Sequence, residues 1–258
     1  QRLLSPVQVL AQTDEDVDRF KALGVKKVRR MGNIKYDLSV PDEQIKPAYL
    51  LEAKREKYIY WLVASTHDGE EALVLKTYQA LKKNFPQLKL ILVPRHPERF
   101  PEVENLIHST RLTYLKRSKT SFEAFTNQPD LWLIDSIGEL LIFYAFADIA
   151  LVGGSFVPIG GHNILEPAYF AKPIIVGPYM EENQETLTFF KKNKAIIQTE
   201  AQELFTVISS LINDKNARHQ LGARAKQTLI DNQGASQILF DELSPFIDLV
   251  NRRKDKER

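Results

Sequence analysis

The sequence predicts an α/β protein built on a doubly wound parallel sheet with helices on both faces. Three observations carry this. Short apolar runs of strand length recur along the chain, at Tyr58 to Ala64, Leu88 to Val93, Leu131 to Ile134, Ile149 to Val152 and Pro173 to Val176. Helix-length amphipathic segments separate most of them, the spacing of parallel strands joined by crossover helices. Glycine and proline cluster where strands should end, notably at 153–161 and 177–178.

Each element has a local reason. Residues 7–31 read as strand, helix, strand; the helix Asp14 to Leu23 has an acidic first turn and Gly24 as its C-cap. Gly32 to Asp37 is a loop, and Pro41 to Lys57 is polar and charged, a linker passing into a helix. Tyr58 to Ala64 is aromatic and β-branched, hence a strand. Gly69 to Asn84 is an amphipathic helix stopped by Asn84 and Pro86; Leu88 to Val93 is the next strand. Pro97 to Ser109 is a helix with proline near its start, Leu112 to Leu115 a short strand, and Lys116 to Pro129 loop-rich. A second series follows: strand Leu131 to Ile134, helix Ile137 to Phe146, strand Ile149 to Val152, a glycine-rich segment with a helix to Ala171, and strand Pro173 to Val176. Glu182 to Lys192 is a helix and Ala195 to Gln198 a short strand. Helices at 201–213, 215–231 and about 234–250 complete the chain before a charged, disordered tail at 252–258.

Composition narrows the function classes. The 258 residues are 43% hydrophobic and 26% charged, enough for one large or two small domains with a real core. A net charge of +2 gives no general case for nucleic acid. There is no cysteine, which excludes disulfides, thiol catalysis and zinc–thiolate sites. No apolar run reaches the ~18 residues of a membrane-spanning helix. The five histidines never fall at i, i+4 on one helix, and neither a G-x-S-x-G nor a P-loop lysine motif is present.

The most informative stretch is G-G-S-F-V-P-I-G-G-H-N-I-L-E-P at 153–167, between a buried strand and a helix start. Ligands of open α/β sheets bind outside the carboxyl ends of the strands. Glycines there let backbone N–H groups approach a phosphate, and the next helix N-terminus favours negative charge. The N–H groups of Gly154 to Phe156 and the Ser155 hydroxyl are therefore expected to hold phosphate, and Glu166 to accept hydrogen bonds from ribose hydroxyls. The pattern suits a nucleotide sugar. Other readings stand beside this one: the glycines can serve only a tight turn, and Asn163 with Glu166 has capping-box spacing. His162 is open between loop packing and phosphate contact. Asp68 with Glu71 has the same capping-box spacing.

Six motifs appear in order: A-Q-T-D-E-D-V-D-R-F-K-A-L-G at 11–24, G-N-I-K-Y-D at 32–37, A-S-T-H-D-G-E-E at 64–71, L-V-P-R-H-P-E-R-F at 92–100, the 153–167 segment, and K-P-I-I-V-G-P at 172–178. Together they resemble the 3-deoxy-D-manno-octulosonic acid (Kdo) transferases, glycosyltransferases of lipopolysaccharide assembly in Gram-negative bacteria that use CMP-Kdo. The resemblance implies a GT-B fold of two Rossmann-like domains and an inverting transfer to a lipid A precursor. It covers only the donor half: residues 1–31 as the end of the N-terminal acceptor domain, 32–57 as crossover linker, 58–233 as the CMP-sugar domain, and 234–251 as a C-terminal helix crossing back. The family's catalytic glutamate motif is not found here, so the chain is expected to bind donor without transferring it. With Gln1 at its start, it is read as a fragment or processed chain.

The resemblance also implies a donor-site set. CMP-Kdo carries a phosphodiester and a carboxylate, so its site needs cations. Arg95 and His96 stand at a strand end, and Ser65 and His67 at another. Lys35 is a candidate partner for the Kdo carboxylate. Gly154, Ser155, Gly160, Gly161, His162, Asn163 and Glu166 complete the set. No metal and no cofactor are expected, nor nucleic acid. The expected partners are the nucleotide-sugar donor, a lipid A precursor met by the other domain, and the cytoplasmic face of the inner membrane for a full-length protein. The fragment itself would be soluble, and its uncovered apolar residues could let it self-associate. Two alternatives remain: another GT-B enzyme using a UDP-sugar and a lipid acceptor, and a non-catalytic interaction domain, slightly supported by the basic Arg252, Arg253, Lys254 and Lys256.

Overall fold

The computed structural model describes residues 7–126 and 129–256, with 248–256 described by their backbone alone. The chain forms two compact units, Gln1–Ser39 with Leu229–Arg258, and Val40–Thr228.

The smaller unit begins with β1 (Gln8–Ala11), α1 (Asp14–Ala22) and β2 (Lys27–Arg30). The two strands pair in parallel, Gln8 opposite Lys27. Thr13 caps α1 by accepting a 3.0 Å bond from the Asp16 N–H, and three acidic residues fill the first turn, where the helix dipole favours them. Gly24 follows with φ +90°.

The larger unit runs α2 (Asp42–Ala53), β3 (Ile59–Thr66), α3 (Glu70–Asn84), β4 (Leu88–Pro94), α4 (Phe100–Ser109), β5 (Tyr114–Lys116), β6 (Leu131–Leu133), α5 (Leu140–Phe146), β7 (Ile149–Val152), α6 (Leu165–Tyr169), β8 (Ile174–Val176), α7 (Gln184–Lys192), β9 (Ile197–Gln198) and α8 (Leu204–Asn213), then most of α9 (Lys215–Ile230). Seven strands form one sheet in the order β5-β6-β4-β3-β7-β8-β9, and every pairing is parallel. Chain order departs in opposite directions from the β3–β7 pair, so a switch point lies at their carboxyl ends.

Alternation along β3 builds a core on both faces. Trp61 and Val63 enter a cluster with Val74, Tyr78 and Leu81 of α3 and Leu204 and Ile208 of α8. Tyr60, Leu62 and Ala64 enter the opposite cluster with Ala48 and Leu51 of α2 and Phe143 and Phe146 of α5. Strands buried on both faces read as continuous apolar runs, which is why these were legible.

Some expectations change. The segment read as a linker passing into a helix is helical almost from its start, as α2, and Ile45, Ala48 and Leu51, three apart, are its buried stripe. The helix expected from Ile137 starts at Leu140, because Gly138 adopts φ +83°. The helix after the glycine segment has only five residues. The last helix, α10 (Ala235–Lys256), belongs to the smaller unit and is helical through the residues expected to be a disordered tail; Glu257 and Arg258 lie outside the described residues. Asp37 caps its start, accepting N–H bonds of 2.5 Å from both Gly234 and Ser236. Burial acts against Asp37, but these bonds hold its carboxyl below the usual range. Phe240, Leu243, Phe246 and Ile247 of α10 are exposed.

Candidate functional site

The site is built from three loops at the carboxyl ends of β3, β4 and β7. β3 does not end smoothly. Its register against β4 shifts between Ala64 and Thr66, and Ser65 between them has φ +57°. Bulges and positive φ at a non-glycine residue cost energy and gather at functional sites. Gly153, at the end of β7, makes the kink possible: a Cβ there would lie 2.4 Å from the Ser65 carbonyl oxygen. On the other side the Arg95 N–H donates to the Thr66 carbonyl at 3.0 Å. Three strand ends are thus stitched by backbone contacts.

The glycine loop is held by an acid from another element. Glu70, buried in the first turn of α3, accepts from the backbone N–H groups of Gly154 (2.7 Å) and His67 (2.9 Å) on one oxygen and of Ser155 (3.0 Å) and Phe156 (2.8 Å) on the other. A buried carboxylate is tolerable only with such compensation. This corrects the expectation that the N–H groups of Gly154 to Phe156 are offered to phosphate: they are committed to Glu70. Ser155 is fully buried, its hydroxyl donating to Val152 O (2.6 Å) and accepting from the Gly177 N–H (2.9 Å). It closes the loop from inside. Gly160 and Gly161 have φ +99° and +77°, and a Cβ on them would meet Glu182 and Met180 at 2.7 and 2.1 Å. Both glycines are therefore demanded by backbone shape and close packing.

Neither capping box forms. Glu71 is buried and bonds Arg99 bidentately at 2.7 and 3.2 Å, and Glu102 also holds Arg99. Arg99 is thereby committed to these acids. Asn163 accepts from the Leu165 N–H at 3.0 Å and donates to Glu166 at 3.3 Å. Burial keeps the Glu166 carboxyl above its usual range, opposed by the Asn163 hydrogen bond and the charge of Arg95.

Arg95 is exposed, and among the described residues its guanidinium has no side-chain partner. Its charge acts on both Glu166 and His162, so these groups share one electrostatic neighbourhood. Three imidazoles join it. His67 lies 5.0 Å from His96, ring centroid to centroid, and its Nε2 is 2.7 Å from Nε2 of His162. Of the predicted residues, the structure brings Ser65, His67, Arg95, His96, His162, Asn163 and Glu166 to these loops. Lys35 belongs to the smaller unit, exposed on the turn Ile34–Tyr36, with its ammonium 5.5 Å from the Tyr36 ring centroid.

Two features escaped the sequence reading. One is Glu70. The other is the loop after β6: a hollow of about 140 Å³ beside Ser65, Arg95 and Phe100 is closed by Ser136, Ile137 and Gly138. Ile137 is 78% exposed there, and a side chain at Gly138 would meet nothing within 4 Å. Gly138 at a strand end was the available signal. A larger hollow, about 680 Å³, lies along the edge strand β5, away from the switch point, and its Lys116 is tied to Glu104 at 2.6 Å. Arg95, which lines the smaller hollow at the switch point, makes it the better candidate. Among the described residues no cluster of three or more His, Asp or Glu is arranged to hold a metal, and no helix is long and apolar enough to cross a membrane.

The parallel sheet with its cleft at the switch point has the fold of the donor-side half of a GT-B glycosyltransferase. A glycosyltransferase from Rickettsia africae supports this at the level of fold, with a TM-score of 0.55 at 17% identity over 94% of this chain and 63% of that one. No family model matches the chain. It is 36% identical over 255 residues to the 3-deoxy-D-manno-octulosonic acid transferase of Haemophilus influenzae, covering 96% of this chain and 59% of that protein. The crystal structure of the C-terminal CMP-Kdo binding domain of WaaA from Acinetobacter baumannii matches with a TM-score of 0.67 and 34% identity, over 73% of this chain and 99% of that one. The chain belongs to the 3-deoxy-D-manno-octulosonic acid transferase family, and it spans little more than half the length of the Haemophilus protein.

Proposed function

We propose that the chain is the donor-binding part of an inverting Kdo transferase, taking CMP-Kdo as donor for transfer to a lipid A precursor at the cytoplasmic face of the inner membrane. The observation that carries this reading is the unpartnered Arg95 at the switch point, flanked by His67, His96 and His162 and facing the field of Glu166. Family membership supports the substrate class.

Arg95 would take the phosphodiester or the Kdo carboxylate through charge-assisted bonds. Glu166, with its second oxygen uncommitted, would accept from the cytidine ribose hydroxyls. In the transfer step, a base outside the motifs of this chain removes the proton of the acceptor hydroxyl as the bond from the Kdo anomeric carbon to phosphate breaks. Negative charge gathers on the departing CMP, and Arg95 with the neighbouring imidazoles stabilises it. The short α6 and the committed loop N–H groups leave this work to side-chain cations. No metal is proposed.

The test is calorimetry of the chain with CMP, UMP and UDP, beside a transfer assay with CMP-Kdo and a lipid A precursor. Selective CMP binding without transfer is expected. Preference for UDP would favour the UDP-sugar alternative; no nucleotide binding would favour an interaction domain; robust transfer would overturn the assignment of the base elsewhere.

A further inference from the structure

The contact between His67 and His162 has a chemical consequence. Their Nε2 atoms are 2.7 Å apart, their ring centroids 4.9 Å, and their planes differ by 17°. That centroid separation is close to the largest a contact of this length permits, so the two nitrogens face each other nearly in plane. Two lone pairs would repel there, and so would two N–H groups; the contact requires one hydrogen between the rings. One ring is thus donor and the other acceptor. A second proton can enter at the outer Nδ1 of the donor ring, charging the pair without breaking its internal bond. The backbone fixes this arrangement: Glu70 holds the His67 N–H, and Gly154 leaves room for the His162 ring, 3.1 Å from where its Cβ would stand.

The charged groups around the pair come from every adjoining element. From α3 and the turn before it, Glu70 is saturated by four N–H groups, Glu71 is neutralised by Arg99, and the exposed Asp68 lies 3.6 Å from Arg99. From the loop after β4 come Arg95, and His96 with Glu98 at 3.7 Å. From α6 comes Glu166, itself pushed towards its neutral form by burial. Arg95 and His96 act against a charge on His162, while the charges of Glu70 and Glu71 favour one on His67. Burial, then His67, Arg95 and His96, holds His162 down at about 4. Burial also lowers His67, against the opposing charge of Glu70. Both shifts favour the neutral pair at neutral pH, and an anion placed beside it would favour the charged form.

We propose that the His67–His162 pair takes up one proton from solvent when the anionic phosphodiester of the donor enters, converting a neutral hydrogen-bonded pair into the cation that holds the ligand together with Arg95. This rests on the donor-site reading given above. A phosphodiester carries a full negative charge and has no proton of its own to exchange near neutrality. Its arrival favours the charged pair, and its departure returns the proton. The sign follows from linkage. Below the titration of the free pair, both states are protonated and affinity is level; above that of the bound pair, neither is. Between the two, affinity falls about tenfold per pH unit for one proton taken up.

The probe is cytidine 5′-methylphosphate, a phosphodiester with no titrating phosphate group near neutral pH. This chain is titrated with it calorimetrically near neutrality, in two buffers of different ionisation enthalpy. The expected result is uptake of about one proton, with affinity falling as pH rises. H67Q and H162Q should each abolish the uptake and flatten the pH profile. H108Q, beside Tyr114 at the α4–β5 corner, should change neither. Binding by the wild-type chain without proton exchange would overturn the proposal, whatever the variants do. So would uptake that survives both substitutions. A folded chain that does not bind the phosphodiester at all would instead overturn the donor-site reading.

Discussion

Replacing Glu70 by glutamine probes the element on which the whole glycine loop depends. The two carboxylate oxygens accept four backbone N–H bonds of 2.7 to 3.0 Å. Glutamine keeps one oxygen and turns an NH2 group towards the other two donors. Whichever way the amide is placed, one N–H of a buried residue, Gly154 or Ser155, loses its acceptor, together with one of a half-buried residue, His67 or Phe156. An unsatisfied buried N–H costs about 1–3 kcal/mol, and the more accessible one less because water can replace its partner, so E70Q should destabilise by roughly 2–4 kcal/mol. For a chain of this size that corresponds to a fall in Tm of roughly 4–16 °C. The assay is thermal and urea unfolding of E70Q beside D68N, whose carboxylate is 88% exposed and whose change should stay within about 0.5 kcal/mol. An E70Q variant as stable as D68N would refute the claim that Glu70 holds the loop.

Four further outcomes are expected. Arg95→Ala should weaken CMP binding by about 1.5–3 kcal/mol, roughly 10- to 150-fold, with unchanged Tm, as read by calorimetry. Glu166→Gln should weaken CMP more than its 2′-deoxy analogue; equal loss for both would place the ribose elsewhere. Gly153→Ala, whose Cβ would lie 2.4 Å from the Ser65 carbonyl oxygen, should cost about 1–3 kcal/mol of stability and lower CMP affinity as the β3 kink shifts. Lys172 carries a pH signature: burial lowers its ammonium to about 8 from 10.5, so the fold prefers the neutral amine. Stability should therefore rise as pH climbs from about 8 towards 10.5 and then level, and Lys172→Met should lack that rise.

The strands were legible because a parallel sheet covered on both faces needs uninterrupted apolar runs, and β3, β4 and β7 consist of little else. Their parallel order sends every carboxyl end to one side, so residues as far apart in sequence as Arg95 and Glu166 could be assigned to a common cleft. What sequence could not give was the partner of each polar group. Glu70 and Glu71 are adjacent acids in one helical turn, both favoured there by the dipole. Only the fold shows that one holds the glycine loop and the other Arg99. The glycines of 153–161 were legible as a motif, but their reason is close approach: Gly153 to Ser65, Gly161 to Met180. The start of α2 was obscured by its charged and proline-containing composition, although Ile45, Ala48 and Leu51 carried a narrow buried stripe. The His67–His162 contact joins loops 95 positions apart and leaves no local signature.

The central claim is that the cleft at the ends of β3, β4 and β7 is a cytidine nucleotide site. A crystal structure of the chain grown with CMP tests it most directly. Phosphate is expected against Arg95 and the His67–His162 pair, ribose against Glu166, and the Gly154 to Phe156 N–H groups still bound to Glu70. Phosphate seated on those N–H groups with Glu70 displaced, or nucleotide along β5, would contradict it.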